Sequence, residues 1–196
     1  MNRLAAGALL WLFCLVGPSA QGQPATAALS FNIGIQGSLS FFEAGVVAPA
    51  LGSGLTLGLK ARFMSSLTWA TFIHRNGQSV SFHPVVVGGV LSCGGTSPLF
   101  EDAYRMYGGM DLLVGYSFTP YDSLIYRTGN LIGSNLTFAL WGYFGIELFT
   151  AEKVSYCLDS GGGYKSLRGD RENLYAIASS WLGSGFGLKT GMRFYL

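Results

Sequence analysis

The chain closes with Gly185-Phe186-Gly187-Leu188-Lys189-Thr190-Gly191-Met192-Arg193-Phe194-Tyr195-Leu196. In an extended backbone successive side chains point to opposite faces. Phe186, Leu188, Met192, Phe194 and Leu196 therefore share one side, and Gly185, Gly187, Lys189, Gly191 and Arg193 share the other. One face is oily, and the other is glycine with an occasional cation.

The same division recurs upstream. Leu29, Phe31, Ile33, Ile35, Leu39 and Phe41 alternate with Ser30, Asn32, Gly34, Gln36, Ser38 and Ser40, and Leu51, Leu55, Leu57, Leu59, Ala61 and Phe63 stand against Gly52, Gly54, Thr56, Gly58, Lys60 and Arg62. Met106, Met110, Leu112, Val114, Tyr116 and Phe118 oppose Gly109, Asp111, Gly115 and Ser117, with Leu113 as the exception. Leu136, Phe138, Leu140, Phe144, Ile146 and Leu148 oppose Asn135, Thr137, Tyr143 and Glu147. A soluble sheet would place Lys, Glu and Asp densely on its wet face, whereas this polar face is mainly Gly, Ser, Thr and Asn. Only 11% of the chain is charged and 49% is apolar, against about 25% charge in an ordinary soluble domain. The pattern predicts an all-β fold, a closed antiparallel up-and-down transmembrane barrel of about eight strands whose oily face meets lipid.

Export is predicted by the start of the chain. Asn2 and Arg3 precede an apolar stretch, Leu4 to Val16, of signal-peptide length and too short to cross a bilayer as a helix. Residues 1–20 read as a signal peptide, with cleavage after Ser19 or Ala20 or as late as Ala27, and residues 28–196 as the barrel domain. With 12 basic and 10 acidic residues there is no bias towards a polyanion, so nucleic acid is not an expected partner.

Strands are expected near 28–41, 51–63, 67–75, 79–91, 104–119, 134–149, 173–182 and 184–196. Asn76-Gly77 is a strong two-residue hairpin signal, and centring a turn there pairs Ile73 with Val80 and Thr71 with Phe82. A second turn at Gly183-Ser184 pairs Trp181 with Phe186. Pro84 cannot donate to a ladder and should interrupt the pairing. On this count the long connectors 92–103 and 150–172 fall at the end that carries both termini, although such barrels usually keep long loops at the other. Cys93 and Cys157 lie in those connectors, where an oxidising compartment would allow a disulfide between them; two free thiols are the other reading.

The signal peptide, the repeated alternation and the closing strand Gly185–Leu196 resemble the small eight-stranded bacterial outer-membrane barrels, nearest to the OmpW/OprG type and next to the OmpA transmembrane domain and OmpX. In that family the last strand, usually ending in Phe, is read by the barrel-assembly machinery; here the end is Phe194-Tyr195-Leu196, a departure. The resemblance implies a protein embedded in outer-membrane lipid. Its implied role is a narrow porin-like conduit for small, often hydrophobic solutes, or a non-conducting barrel that acts through its surface as an adhesin or interaction protein.

Candidate chemistry follows from the inward face. Lys60, Arg62, Lys189 and Arg193 fall near the junction of first and last strands, with Asp111 and Glu147 as carboxylates across the lumen. They read either as a charged constriction that selects permeants or as ion pairs that fill the interior. Arg168-Gly169-Asp170 resembles an integrin-recognition tripeptide and would matter only if a host receptor could reach it. His74, His83, Ser79 and Ser81 share the inward parity, but no carboxylate accompanies them in sequence and an enzyme is not expected. No metal-ligand spacing or cofactor-binding glycine loop is present.

Overall fold

A computed structural model describes residues 26–50, 54–66, 70–73, 79–82, 85–101, 103–118, 135–167 and 184–196. The expected signal segment 1–20, Arg168-Gly169-Asp170, His74, His83 and the expected strand 173–182 lie outside the described residues.

The first expected strand is in fact two. β1 (Ala28–Gln36) and β2 (Leu39–Pro49) are joined by a tight turn at Gly37-Ser38. Gly37 sits at φ 59°, in the left-handed region that glycine enters without a Cβ penalty. β2 runs on to β3 (Leu55–Ser65), and then the chain leaves the wall for a small separate hairpin, β4 (Ala70–Ile73) and β5 (Ser79–Phe82). It returns through β6 (Val85–Thr96), β7 (Tyr104–Phe118), β8 (Asn135–Ala151), β9 (Val154–Leu167) and β10 (Gly185–Tyr195). Around the ring the order is β1-β10-β9-β8-β7-β6-β3-β2, a closed eight-stranded antiparallel barrel. β10 pairs with β1 from Ala28 opposite Tyr195 to Gln36 opposite Gly187, so no strand of the ring is left as an edge.

Eight strands close the barrel, but they are not the eight expected. The β4–β5 hairpin takes the expected third strand, 67–75, and the first residues of the expected fourth out of the wall, and it is shifted by one from the expected register. Ile73 lies opposite Ser79 and Phe72 opposite Val80, so Phe72 rather than Ile73 meets Val80. The strand expected over 79–91 divides on either side of Pro84, with β5 on β4 and β6 on β3. β5 is not part of the barrel wall, so Ser79 and Ser81 do not lie on a wall strand. β9 occupies most of the expected connector 150–172. Its alternation of Val154, Tyr156 and Leu158 with Ser155, Cys157 and Asp159 is short and is then diluted by Ser160 and Gly161-Gly162-Gly163.

This order removes the expected conflict over loops. Segments 50–54, 97–103 and 152–153 turn the chain at the end bearing the termini, and 66–84, 119–134 and 168–184 connect strands at the opposite end, with the tight turn 37–38. The long connectors are therefore all at the far end.

The disulfide expectation is corrected. Cys93 and Cys157 are free, and both lie within strands, β6 and β9, rather than in connectors. Cys157 is buried on the inward face with Ser155 and Asp159, whereas Cys93 shares the parity of the exposed Val87 and Leu91. The wall of the barrel separates the two thiols.

Wall polarity is sharply divided. Every charged strand residue whose side chain is described turns inward: Glu43, Lys60, Arg62, Arg105, Asp111, Glu147, Asp159, Lys189 and Arg193. Outward stand Ile33, Leu59, Leu91, Leu112, Leu140, Leu158 and Leu188. Aromatic side chains flank them, with Phe31, Tyr104, Tyr156 and Phe194 towards the termini and Phe63, Tyr116, Tyr164 and Phe186 towards the far end. Leu113, which broke the expected alternation, faces inward with its strand's parity. It belongs to an apolar cluster with Leu39, Phe41, Met64, Val86, Val90 and Ala139 in the far half of the interior; Leu39 and Phe41, expected on the oily face, turn inward because the Gly37-Ser38 turn starts a new strand of opposite parity.

The inward glycines make room for large neighbours. A Cβ on Gly187 would come within 2.6 Å of the Trp141 ring, and one on Gly109 within 3.0 Å of the Tyr143 hydroxyl. Small and large side chains alternate because a narrow ring holds few bulky ones per layer. For the cysteines the expected outcome is direct: reduced and non-reduced protein should migrate identically on a denaturing gel, and Cys157 should react with a maleimide only after unfolding.

Candidate functional site: the charged interior

The inward charges gather into two groups, one at mid-height and one towards the termini. Register builds both. Glu43 on β2 lies directly opposite Arg62 on β3, Lys189 on β10 opposite Asp159 on β9, and Arg105 on β7 opposite Glu147 on β8. Opposite charges placed across a strand pair attract at short range, so each couple reinforces the register that made it.

At mid-height Arg62 donates from Nε to Glu43 Oε2 at 2.7 Å and from Nη2 to Asp111 Oδ2 at 2.8 Å, and its Nη2 also reaches Glu43. Lys60 Nζ lies 3.0 Å from Glu43 Oε1 and 3.7 Å from Asp111 Oδ1. Lys189 Nζ lies 3.4 Å from both Asp111 and Asp159 and 4.0 Å from Glu43. Neutral donors complete the shell: Ser92 Oγ donates to Asp111 Oδ1 at 2.6 Å, Asn32 Nδ2 to Glu43 Oε1 at 3.0 Å, and the Tyr107 hydroxyl to Asp159 Oδ2 at 2.7 Å. Three cations thus face three carboxylates, all nearly inaccessible to solvent.

Towards the termini one carboxylate serves two guanidiniums. Arg105 Nε donates to Glu147 Oε2 at 2.8 Å and Arg193 Nη1 to the same oxygen at 2.9 Å. Ser155 Oγ and the Tyr195 hydroxyl donate to Glu147 Oε1, and Arg105 Nη2 donates to the Tyr195 oxygen at 2.6 Å. Aromatic faces cover the guanidiniums, Tyr107 at 4.7 Å from Arg193 and Phe149 at 5.2 Å from Arg105.

The six charged residues assigned to the lumen from the sequence, Lys60, Arg62, Asp111, Glu147, Lys189 and Arg193, all lie in these two groups. They are not one ring, because Glu147 and Arg193 belong to the lower group. Three partners escaped sequence reasoning: Glu43, Arg105 and Asp159. Glu43 and Asp159 sit on strands that had been read as connectors. Arg105 is one residue into β7, and parity with Asp111 places it inward.

No family model matches the chain, and no curated protein matches it. Among the described residues no group of three or more His, Cys, Asp and Glu side chains could hold a metal. What the arrangement can do chemically is hold charge in a confined space. Ion pairs at mid-height and the apolar cluster above them occupy the interior.

Because burial makes each charge depend on its partners, removing one is worse than removing a pair. Glu43→Gln leaves three cations against two carboxylates and is expected to destabilise the protein by about 3–5 kcal/mol. Adding Arg62→Met restores the balance and should recover most of that loss. Urea unfolding of the single and double variants in one detergent measures both.

Proposed function

We propose that this chain is a bacterial outer-membrane protein whose closed barrel anchors and presents the three long far-end connectors, acting through that surface rather than as an open pore. One observation carries the reading: the outward wall of the closed barrel, as far as its side chains are described, is predominantly apolar and carries no charge, while buried ion pairs and an apolar cluster occupy the interior. A water-soluble protein rarely exposes a contiguous apolar patch beyond several hundred Å². A bilayer accepts such a wall, and a closed ring leaves no backbone donor facing hydrocarbon.

Other features agree. The wall strands run from the nine residues of β1 to the seventeen of β8, enough for tilted spans. Two aromatic zones bracket an aliphatic middle, as expected where rings sit at two lipid-water interfaces. Short turns share an end with both termini and long connectors sit opposite, the arrangement that outer-membrane barrels keep with their termini in the periplasm. The reading is in keeping with the resemblance to small OmpW/OprG-like and OmpA-like or OmpX-like barrels.

A second reading, a narrow conduit for small solutes, is favoured by the hydrophilic mid-height lumen. Conduction would require both the ion-pair layer and the apolar cluster to part, and the filled interior favours the anchoring role.

Three outcomes test this. Leu91→Arg, on the outward face at mid-strand, should cost about 2–4 kcal/mol of folding stability in lipid vesicles, whereas a soluble barrel would tolerate an exposed arginine there. Protease added to intact cells should cut within the 168–184 connector that contains Arg168-Gly169-Asp170; complete protection would defeat surface presentation. Purified protein in planar bilayers should show no steady ion conductance, and a stable open channel would favour the conduit instead.

A further inference from the structure

We infer that the lower interior of the barrel binds a single small inorganic anion of halide size, held between Arg105 and Arg193. The inference is independent of whether the protein presents loops or conducts, because it rests on charge balance and space within the wall.

The charge count comes first. The mid-height group balances, with Lys60, Arg62 and Lys189 against Glu43, Asp111 and Asp159. In the lower group two guanidiniums share Glu147. The Arg105, Arg193 and Glu147 side chains are only 5%, 11% and 0% exposed. Glu147 has no capacity to spare, since one oxygen accepts from both arginines and the other from Ser155 and Tyr195. One positive charge is thus left in a site screened from water, where an unbalanced ion is costly. The other described charges at this end, Glu101, Glu152, Lys153 and the Leu196 carboxylate, are exposed outside the lumen and screened by solvent.

Donors and space are both present. A guanidinium carries five N–H groups. Arg193 donates only through Nη1, and its buried Nε has no hydrogen-bond partner among the described residues. Beside both arginines lies a cavity of about 20 Å³, lined also by Tyr195, Thr56, Thr96 and Ala28. A cavity needs roughly 10–15 Å³ on this measure to hold one water-sized particle. That space, open on one side towards the mouth of the barrel, takes a chloride or bromide. Aromatic carbon covers the other faces of the guanidiniums, so the cavity is where the surplus charge can be met.

The full chain, folded in an uncharged detergent, is unfolded with urea in sodium bromide, sodium chloride and sodium gluconate at equal ionic strength. Halide should raise the midpoint saturably, and at ten times the dissociation constant the folding equilibrium should gain about elevenfold over gluconate. Crystals grown in bromide should show an anomalous peak within hydrogen-bonding distance of Arg105 and Arg193. Two variants separate the site from general salt effects. Arg193→Met removes the surplus charge, and Thr56→Glu supplies a tethered carboxylate to the same cavity. Both should lose the halide response. Should Arg193→Met fail to fold, Thr56→Glu decides, because it should be as stable in gluconate as the unmodified protein is in bromide. Equal midpoints in all three salts without an anomalous peak would mean that water alone fills the cavity, and a halide response surviving in Thr56→Glu would place the effect elsewhere; either overturns the inference.

Discussion

The hydrogen-bonded ladder between β1 and β10 is the contact on which the rest of the molecule depends. Without it the sheet would have two open edges and no inside. With it, all wall strands find neighbours on both sides, and every side chain on the wall must choose between a narrow interior and the exterior. That choice is forced by the pleat, so a polar residue at an inward position is buried whether or not it has a partner. The partners are therefore not ornament. Charged residues in such a ring must satisfy one another, because water reaches few of them.

Cross-strand register is how they do so. Glu43 with Arg62, Lys189 with Asp159 and Arg105 with Glu147 are each directly opposed, and Asp111 ties β7 to the cations of β3 and β10. A slip of one residue along any of these pairs would turn charges into the oily face and separate them from their counter-ions. The polar interior thus specifies the barrel more than it strengthens it, since buried ion pairs return little beyond their desolvation cost. The apolar far half, from Leu39 to Leu113, provides ordinary packing above this layer. The same narrowness that demands pairing leaves little room for a permanent pore, which links the packing of the interior to the proposed anchoring role.

Legibility varied along the chain for physical reasons. β3, β7, β8 and β10 carry long apolar alternation, and their inward residues could be assigned by parity alone. The Gly37-Ser38 turn left no break in hydrophobic pattern, because the turn is only two residues long and the inward Gln36 and Leu39 lie directly opposite across it. Missing it hid β2 and with it Glu43. β9 was hidden differently, by a glycine run that imitates a connector although it lies inside a strand, with Gly161 opposite Tyr143 and Gly163 opposite Trp141. A Cβ on Gly163 would press against the Trp141 ring, and one on Gly161 against the backbone of Gly142 and Tyr143. With both strands restored, the long connectors move to the far end and the cysteines move into opposite faces of the wall.

The sequence by itself determined that the chain folds as two-faced strands, with an apolar outward face and an inward face that carries the charges. Alternation is a local property, read from each residue and its second neighbour. Only the tertiary structure decided which strands enter the ring, which leave it as the β4–β5 hairpin, and which charge meets which. Those outcomes depend on closure and register between segments far apart in the chain, and no local pattern encodes the distance between Asp111 and Lys189.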